Sequence, residues 1–173
     1  MHKRVFAIGG LLLPADSAWK FVEVDGVIVG RRRNAPGMLQ ILHTSQDNLP
    51  QPLTHDFCLR VLQIMLKLEA EPTDRQMRES VCGPYGAATF LKESDVCRAW
   101  YCRRPPGLIY GVYICPTAAA HGTGYSLMSA DCAHIMAEVL FDRIAWGSVE
   151  DPLTEVLINN FDRLENDRSD APS

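Results

Sequence analysis

Residues 96–115, which read VCRAWYCRRPPGLIYGVYIC, decide the fold of this chain. The two arms, 96–103 and 108–115, are rich in aromatic and β-branched residues, a composition typical of strands on a half-buried sheet. The four residues between them, RPPG at 104–107, form a turn cluster that has no place inside a strand. The stretch therefore predicts an antiparallel β-hairpin.

The predicted hairpin also brings aromatic residues and a glycine together. A four-residue connection places Trp100 opposite Gly111 and Tyr101 opposite Tyr110. An aromatic ring that lies across a strand glycine covers its bare backbone. We therefore expect Trp100 to be buried against Gly111.

Three further strands are predicted near the start of the chain. Asp25-Gly26 is a two-residue hairpin signal between strands at 19–24 and 27–33, because type I′ turns need positive φ at both central positions. A third strand is expected at 38–43. Both faces of these strands carry apolar residues, so we expect the sheet to be covered on both sides at its centre. Residues 73–85 are expected to be irregular, with room for a short strand or a helical turn.

Helices are predicted after two capping residues. Thr54 precedes a helix at 55–69, and Ser129 precedes a helix that extends to Trp146. Asp151-Pro152 signals a last helix. The expected buried stripe of the second helix consists of Cys132, Ile135, Met136, Val139, Leu140 and Ile144. These elements predict one α+β domain over 1–165, an antiparallel sheet of five to seven strands flanked by helices, followed by a disordered acidic tail at 166–173.

The N-terminal segment admits two interpretations. Met1 to Arg4 is basic and is followed by an apolar stretch at 5–13, which resembles a signal peptide. However, Gly9-Gly10 interrupts the stretch, Pro14 ends it, and a small-residue cleavage site is missing. A first strand is therefore the preferred interpretation. No apolar run approaches the ~20 residues of a membrane span.

The composition and net charge of the chain limit the kinds of molecule that it is expected to bind. The chain is 47% hydrophobic and 22% charged, as in ordinary globular proteins, and its net charge of -4 argues against a nucleic-acid partner. Residues 150–173 contain seven acids and two bases. The six cysteines have no framework spacing, which favours reduced cysteines and a cytoplasmic location.

Cysteine and histidine supply the only candidates for catalysis. Cys132 and His134 are close in sequence, but helical residues two apart do not face each other. An enzyme would use Cys132 or Cys82 as nucleophile, with His121 or His134 brought close by the fold. No catalytic motif, metal site or cofactor site is recognisable, and we expect buried structural cysteines.

Two arginine clusters are the candidate partner-binding residues. Arg31, Arg32 and Arg33 end one predicted strand, and Arg103 and Arg104 end another. If these strand ends converge, the arginines form a basic rim that suits an acidic protein surface. The alternative is two solvated charge clusters that protect strand edges.

The order of elements also resembles a known fold. The resemblance spans residues 5–146 and is carried by Leu13-Pro14, Trp19, the strand at 38–41, the helix from His55, the segment at 86–90, Trp100-Tyr101 and Tyr110. It is similar to the PsbP-like fold, a group that includes photosystem extrinsic subunits, a Ran-binding nuclear import factor and chaperones of type VI secretion effectors. The resemblance implies an antiparallel sheet flanked by helices and a binding role without catalysis, although fold alone does not establish function.

These observations favour a non-catalytic protein-binding module of the bacterial cytoplasm, monomeric or homodimeric. It would be a secretion-effector chaperone or adaptor, or an immunity protein that neutralises a toxin. The alternative is the small cysteine-dependent enzyme described above.

Overall fold

The computed structural model describes residues 3–45, 54–67, 71–79, 83–92, 95–104, 106–116 and 128–147. Within these residues the chain forms ten strands and two helices, which confirms the predicted α+β class. The strands are β1 (Lys3–Ile8), β2 (Leu11–Asp16), β3 (Trp19–Val24), β4 (Val27–Arg32), β5 (Met38–Ser45), β6 (Thr73–Arg78), β7 (Tyr85–Lys92), β8 (Asp95–Arg104), β9 (Gly107–Pro116) and β10 (Ala145–Trp146). The helices are α1 (His55–Leu66) and α2 (Ala130–Asp142). Neither helix is long and apolar enough to cross a bilayer.

Seven strands form one antiparallel sheet in the order β3-β4-β5-β9-β8-β7-β6. Its centre contains the predicted hairpin, β8–β9, and the register pairs Trp100 with Gly111 and Tyr101 with Tyr110 as expected. Pairing continues to Arg104 and Gly107, so only residues 105 and 106 connect the strands. The segment expected to be irregular contains the edge strand β6.

The N-terminal apolar stretch forms a hairpin, which corrects the expectation of a single first strand. β1 pairs with β2 around Gly9 and Gly10, whose φ angles of 58° and 75° favour glycine. A double glycine between two apolar runs is itself a hairpin signal. Leu11 and Leu13 are fully buried, and β10 pairs with β2 to complete a second, three-stranded sheet.

The two sheets and α2 enclose the larger of two cores. One face of the seven-stranded sheet, called the inner face, packs against the three-stranded sheet and α2. Ile28, Leu39 and Ile41 lie on this face, as their strand alternation predicts, together with Trp100, and Phe141 of α2 packs in the same core.

The opposite, outer face packs against α1 at the centre of the sheet. Thr54 accepts a hydrogen bond from the backbone N–H of Phe57 (3.2 Å) and caps the helix as predicted. Cys58 and Leu62 pack on Tyr110 and neighbouring outer-face residues. Lys67 ends α1 with a positive φ of 52°, before the predicted end at residue 69.

The outer cover does not extend to the edge of the sheet. Val22 and Val24 of β3 are 57% and 53% exposed. The sheet is therefore covered on both sides at its centre, as predicted, but only on its inner face at β3.

Candidate protein-binding surface

Helix α2 begins where the sequence predicts but turns a different face to the core. The Ser129 hydroxyl accepts a hydrogen bond from the backbone N–H of Cys132 (3.2 Å) and caps the helix. The predicted buried stripe is wrong at Cys132, Ile135 and Val139, which are exposed, whereas Leu140 and Ile144 are buried as expected. The helix residues that are buried are Ala133, Ala137, Leu140 and Phe141.

The close packing of α2 on the sheet explains which face of the helix is buried. The small side chains of Ala133 and Ala137 allow α2 to lie near the inner face. The ring of Phe141 occupies the space above Gly111, where a Cβ atom would come within 2.5 Å of Cδ2. Phe141 also stacks on Trp100, with ring centroids 5.8 Å apart. The helix thus packs on the sheet through two alanines, Leu140 and one aromatic ring, and the aliphatic side chains of Ile135 and Val139 face away.

The exposed residues of α2 form an apolar stripe. Ile135 is 61% exposed and Val139 is 46% exposed, and with Cys132 they lie at positions i, i+3 and i+7 on one helix face. A helix that is apolar on two opposite faces is typical of one that is covered on both. The stripe is therefore a candidate contact surface. The sequence signal was present, since Ala133, Ala137 and Phe141 already mark a second apolar face.

A groove of about 710 Å³ runs beside this stripe and is called the α2 groove. It lies between α2 and the turns that follow β2 and β4. Its lining contains two arginines and no carboxylate. The lining residues are Ala18, Arg32, Arg33, Asn34, Met128, Ser129, Cys132, Ile135 and Met136.

The first arginine cluster divides between the two faces of the sheet. Arg31 is exposed opposite Lys20 on the outer face. Arg32 points inward and donates to the Asp16 carboxylate (Nη2–Oδ2 3.0 Å), so its side chain is only 12% exposed. Arg33 is exposed at the rim of the α2 groove. Among the three, Arg33 is the one placed to meet a partner in the groove.

The second arginine cluster contains a buried residue, which corrects the expectation of a surface pair. Arg103 is exposed, but Arg104 is 8% exposed. The Arg104 guanidinium donates to the backbone carbonyl of Asp142 (2.6 Å), the last residue of α2, and to that of Ile144 just after the helix. A cation at this position satisfies carbonyls that the helix leaves without partners. Arg104 is therefore a structural clamp on the end of α2.

The two clusters do not converge into one basic rim. Leu39 pairs with Tyr113, near the Arg32 end of the sheet, whereas Ser45 pairs with Gly107, which in turn pairs with Arg104. Six residues of β5 separate these levels, which is roughly 20 Å at strand rise. The two arginine clusters therefore do not form one continuous basic surface.

The candidate nucleophile and base on α2 are not brought together. Cys132 is exposed on the groove side. His134 packs its ring edge-on against Tyr113, with centroids 5.2 Å apart, and lines a different cavity. Cys82 and His121 lie outside the described residues, as does the predicted last helix.

A second cysteine and histidine pair, which the sequence did not suggest, lines a polar cleft of about 540 Å³ on the other flank of α2. Burial raises the pKa of the Cys115 thiol, and the Asp95 carboxylate raises it further. Burial lowers the pKa of His134. Both groups are thus held neutral, whereas a nucleophilic cysteine requires a thiolate. The pair is not tuned for nucleophilic catalysis.

Three of the four charged residues that line this cleft, Arg78, Arg98 and Glu138, are in ion pairs. Arg78 donates to Glu138 (2.6 Å), which also accepts from the Tyr85 hydroxyl (2.9 Å). Arg98 donates to Asp74 (2.6 Å). Opposite charges in these pairs satisfy each other, so the cleft is a structural network between α2 and the β6 edge. In the part of the chain that the structure describes, no group of three metal-binding side chains occurs.

Comparison with known proteins adds information on the fold alone. No family model and no curated protein matches the sequence. The structure is similar to the solution structure of the cyanobacterial PsbP protein CyanoP from Synechocystis sp. PCC 6803, with a TM-score of 0.55 and 13% sequence identity. The match covers 83% of this chain and 92% of CyanoP.

This chain has a PsbP-like fold. The resemblance inferred from the order of elements is confirmed at that level. At 13% identity the likeness extends to the arrangement of strands and helices and not to function.

Proposed function

We propose that this chain is a non-catalytic protein-binding module whose α2 groove receives an apolar, acidic segment of a partner protein. The observation that carries the proposal is the exposed stripe of Ile135 and Val139, in which Ile135 lines the same groove as Arg33. Burial of one such aliphatic side chain contributes up to about 1.5–3 kcal/mol, which is enough to reward a partner that covers the stripe.

The charges around the α2 groove indicate that the partner segment is acidic. The groove lining includes Arg32 and Arg33, and the carboxylates Asp131 and Glu138 of α2 line the polar cleft on the opposite flank. Arg32 is already paired with Asp16, so Arg33 is the cation available at the rim. A guanidinium suits a partner carboxylate and stays charged at any working pH.

Within this class we propose a bacterial cytoplasmic chaperone or adaptor of a secreted effector, or an immunity protein that neutralises a toxin. The chaperone role is proposed from the order of elements in the sequence, which resembles a group that includes effector chaperones of type VI secretion. The two roles differ in outcome. An immunity protein abolishes the toxic activity of its purified partner, whereas a chaperone leaves that activity intact.

Site-specific photocrosslinking in cells tests the binding surface. A photoreactive amino acid at Val139 should capture one partner, and the same group at Leu91, which is 61% exposed on β7, should not. The partner is then purified, and Ile135→Asp should weaken its affinity at least tenfold, which corresponds to about 1.4 kcal/mol. Equal capture from both positions, or unchanged affinity of Ile135→Asp, would contradict the proposal.

A further inference from the structure

Strand β3 forms one edge of the seven-stranded sheet and is open to solvent. It stands at the end of the strand order. The side chains of Lys20, Val22, Glu23 and Val24 are all exposed. The edge strand of a sheet presents a row of outward backbone N–H and C=O groups that can pair with another chain. The β3 edge is therefore accessible to a further strand.

The two edges of the sheet differ in the features that prevent such pairing. At the other edge, β6 has the sequence TDRQMR, and its register shifts between Thr73 and Gln76, where Asp74 has a positive φ of 52°. Charged side chains and bulges of this kind protect an edge. In contrast, β3 has the sequence WKFVEV, which contains four large apolar residues, and it pairs with β4 without a register shift. Of the two edges, β3 is the regular and apolar one.

The turn at Asp25-Gly26 fixes which backbone groups of β3 point outward. In a two-residue hairpin the residues on either side of the turn form a hydrogen-bonded pair, and such pairs alternate along the strands. The hydrogen bond from the Arg33 N–H to the Ala18 carbonyl (2.9 Å) agrees with this alternation. The residues whose backbone groups point outward are Trp19, Phe21 and Glu23.

The side chains of β3 define the residues that an added antiparallel strand should carry. On the outer face, Val22 and Val24 favour apolar residues opposite them, and Lys20 favours a carboxylate. On the inner face, the exposed Glu23 favours a basic residue. From the position opposite Val24 onward, the pattern of such a strand is apolar, basic, apolar, β-branched, acidic, apolar.

We propose that β3 binds an extended segment of a partner protein as an additional antiparallel strand, with a basic residue opposite Glu23 and an acidic residue opposite Lys20. A second copy of this chain does not supply these pairs. Two-fold pairing of β3 with itself sets residues of the same face opposite each other, whereas Lys20 and Glu23 lie on different faces. The proposal concerns backbone pairing at a sheet edge and does not rest on the α2 groove.

Titration of fluorescein-labelled peptides against the full-length chain, followed by fluorescence anisotropy, tests the proposal. A peptide that contains VKVTEV, with its threonine opposite Phe21, should bind saturably. N-methylation of the threonine should weaken the affinity about tenfold or more, because its N–H would donate to β3. N-methylation of the valine before it is the matched control and should leave the affinity unchanged, since that N–H points away from β3.

Exchange of the two charged residues in the peptide tests the predicted charge pairs. The peptide VEVTKV has the same composition but places like charges opposite Lys20 and Glu23, so its affinity should be about threefold lower or less. The double variant Lys20→Glu/Glu23→Lys should reverse this preference and bind VEVTKV more tightly than VKVTEV.

Variants at Glu23 locate the binding site on the protein. Glu23→Pro removes an outward N–H at an edge position, where proline is tolerated, and should abolish binding of VKVTEV. Glu23→Ala keeps the N–H and should weaken binding only slightly, because it removes one charge pair. Circular dichroism should show the wild-type spectrum for both variants.

Three results would overturn the inference. The first is failure of VKVTEV to bind at about 1 mM, and the second is equal affinity of the two N-methylated peptides. The third is a wild-type dimer in sedimentation velocity that Glu23→Pro converts to a monomer, because a second copy would then occupy the edge. Photocrosslinking from Val139 reports on the α2 groove, so failure at either surface leaves the other proposal standing.

Discussion

The ring of Phe141 lies directly over the backbone of Gly111, so that a Cβ atom on the glycine would be 2.5 Å from Cδ2 of the ring. This contact sets how close α2 approaches the centre of the large sheet. Trp100, across the hairpin from Gly111, was expected to cover the glycine and instead stacks on Phe141. An aromatic ring does cover a glycine on the neighbouring strand pair, where Tyr101, the residue after Trp100 on β8, lies over Gly86 of β7.

Gly111→Ala should therefore destabilise the fold by about 1–3 kcal/mol, because the added methyl group overpacks the contact with Phe141. Urea unfolding followed by circular dichroism measures the change. The second change Phe141→Leu should reduce the cost of Gly111→Ala, since it removes the atoms that clash. Additive effects of the two substitutions would show that the glycine is required for another reason.

Trp100→Ala should cost about 3–5 kcal/mol, because the side chain is fully buried and its removal leaves a cavity against Phe141. The same denaturant titration measures it. As a matched surface control, Leu91→Ala should change the stability by no more than about 0.5 kcal/mol. A Trp100→Ala midpoint equal to that of the wild-type protein would contradict the burial of the ring.

The neighbouring arginines Arg103 and Arg104 should behave differently. Arg104→Ala should cost about 1.5–3 kcal/mol or more, since it removes charge-assisted hydrogen bonds to the Asp142 and Ile144 carbonyls and leaves those groups poorly satisfied. Arg103→Ala, at an exposed position, should stay within about 0.5 kcal/mol of wild type. Thermal unfolding of the two variants side by side decides whether the clamp exists.

The free energy of unfolding should decrease as the pH is lowered, because His134 takes up a proton less readily in the folded protein than in the unfolded chain. Burial lowers its pKa in the folded protein, and Arg98 lowers it further, against the raising influence of Asp131 and Glu138. A depressed folded pKa means that the contribution to stability is fully present above the unfolded value of about 6.5 and is lost as the pH falls through the folded value.

The variant His134→Phe isolates this effect, because the ring can keep its edge contact with Tyr113 without taking up a proton. Urea midpoints measured from pH 7.5 to 4.5 should decline less steeply in the variant than in the wild-type protein. Parallel pH profiles would show that His134 titrates normally.

Association with the partner should depend on Arg33 more than on Arg31. Arg33 lines the α2 groove, whereas Arg31 lies on the outer face of the sheet. Arg33→Glu should slow association and weaken its salt dependence, because rim charges act mainly through steering. Arg31→Glu is the matched control, with the same change of charge two residues away. Stopped-flow rates at two salt concentrations test this, and equal rates for both variants would remove Arg33 from the interface.

Local signals in the sequence determined much of the fold. The turn at Asp25-Gly26 has the positive φ angles of 52° and 77° that its residues predict, and Thr54 and Ser129 cap their helices. These features depend on hydrogen bonds and backbone preferences within a few residues. The alternation of side chains along β8 and β9 likewise places Cys102 and Cys115 on one face and Cys97 on the other.

The tertiary structure alone decided which face of α2 is buried and which arginines are exposed. Both faces of α2 are apolar, so the periodicity of the sequence could not choose between them. The buried face is the one whose alanines fit close to the sheet and whose Phe141 fits above Gly111. Arg104 looked like Arg103 in sequence, yet the carbonyls at the end of α2 bury it. Packing between elements distant in sequence made these decisions, because close fit and hydrogen-bond satisfaction exist only once those elements meet.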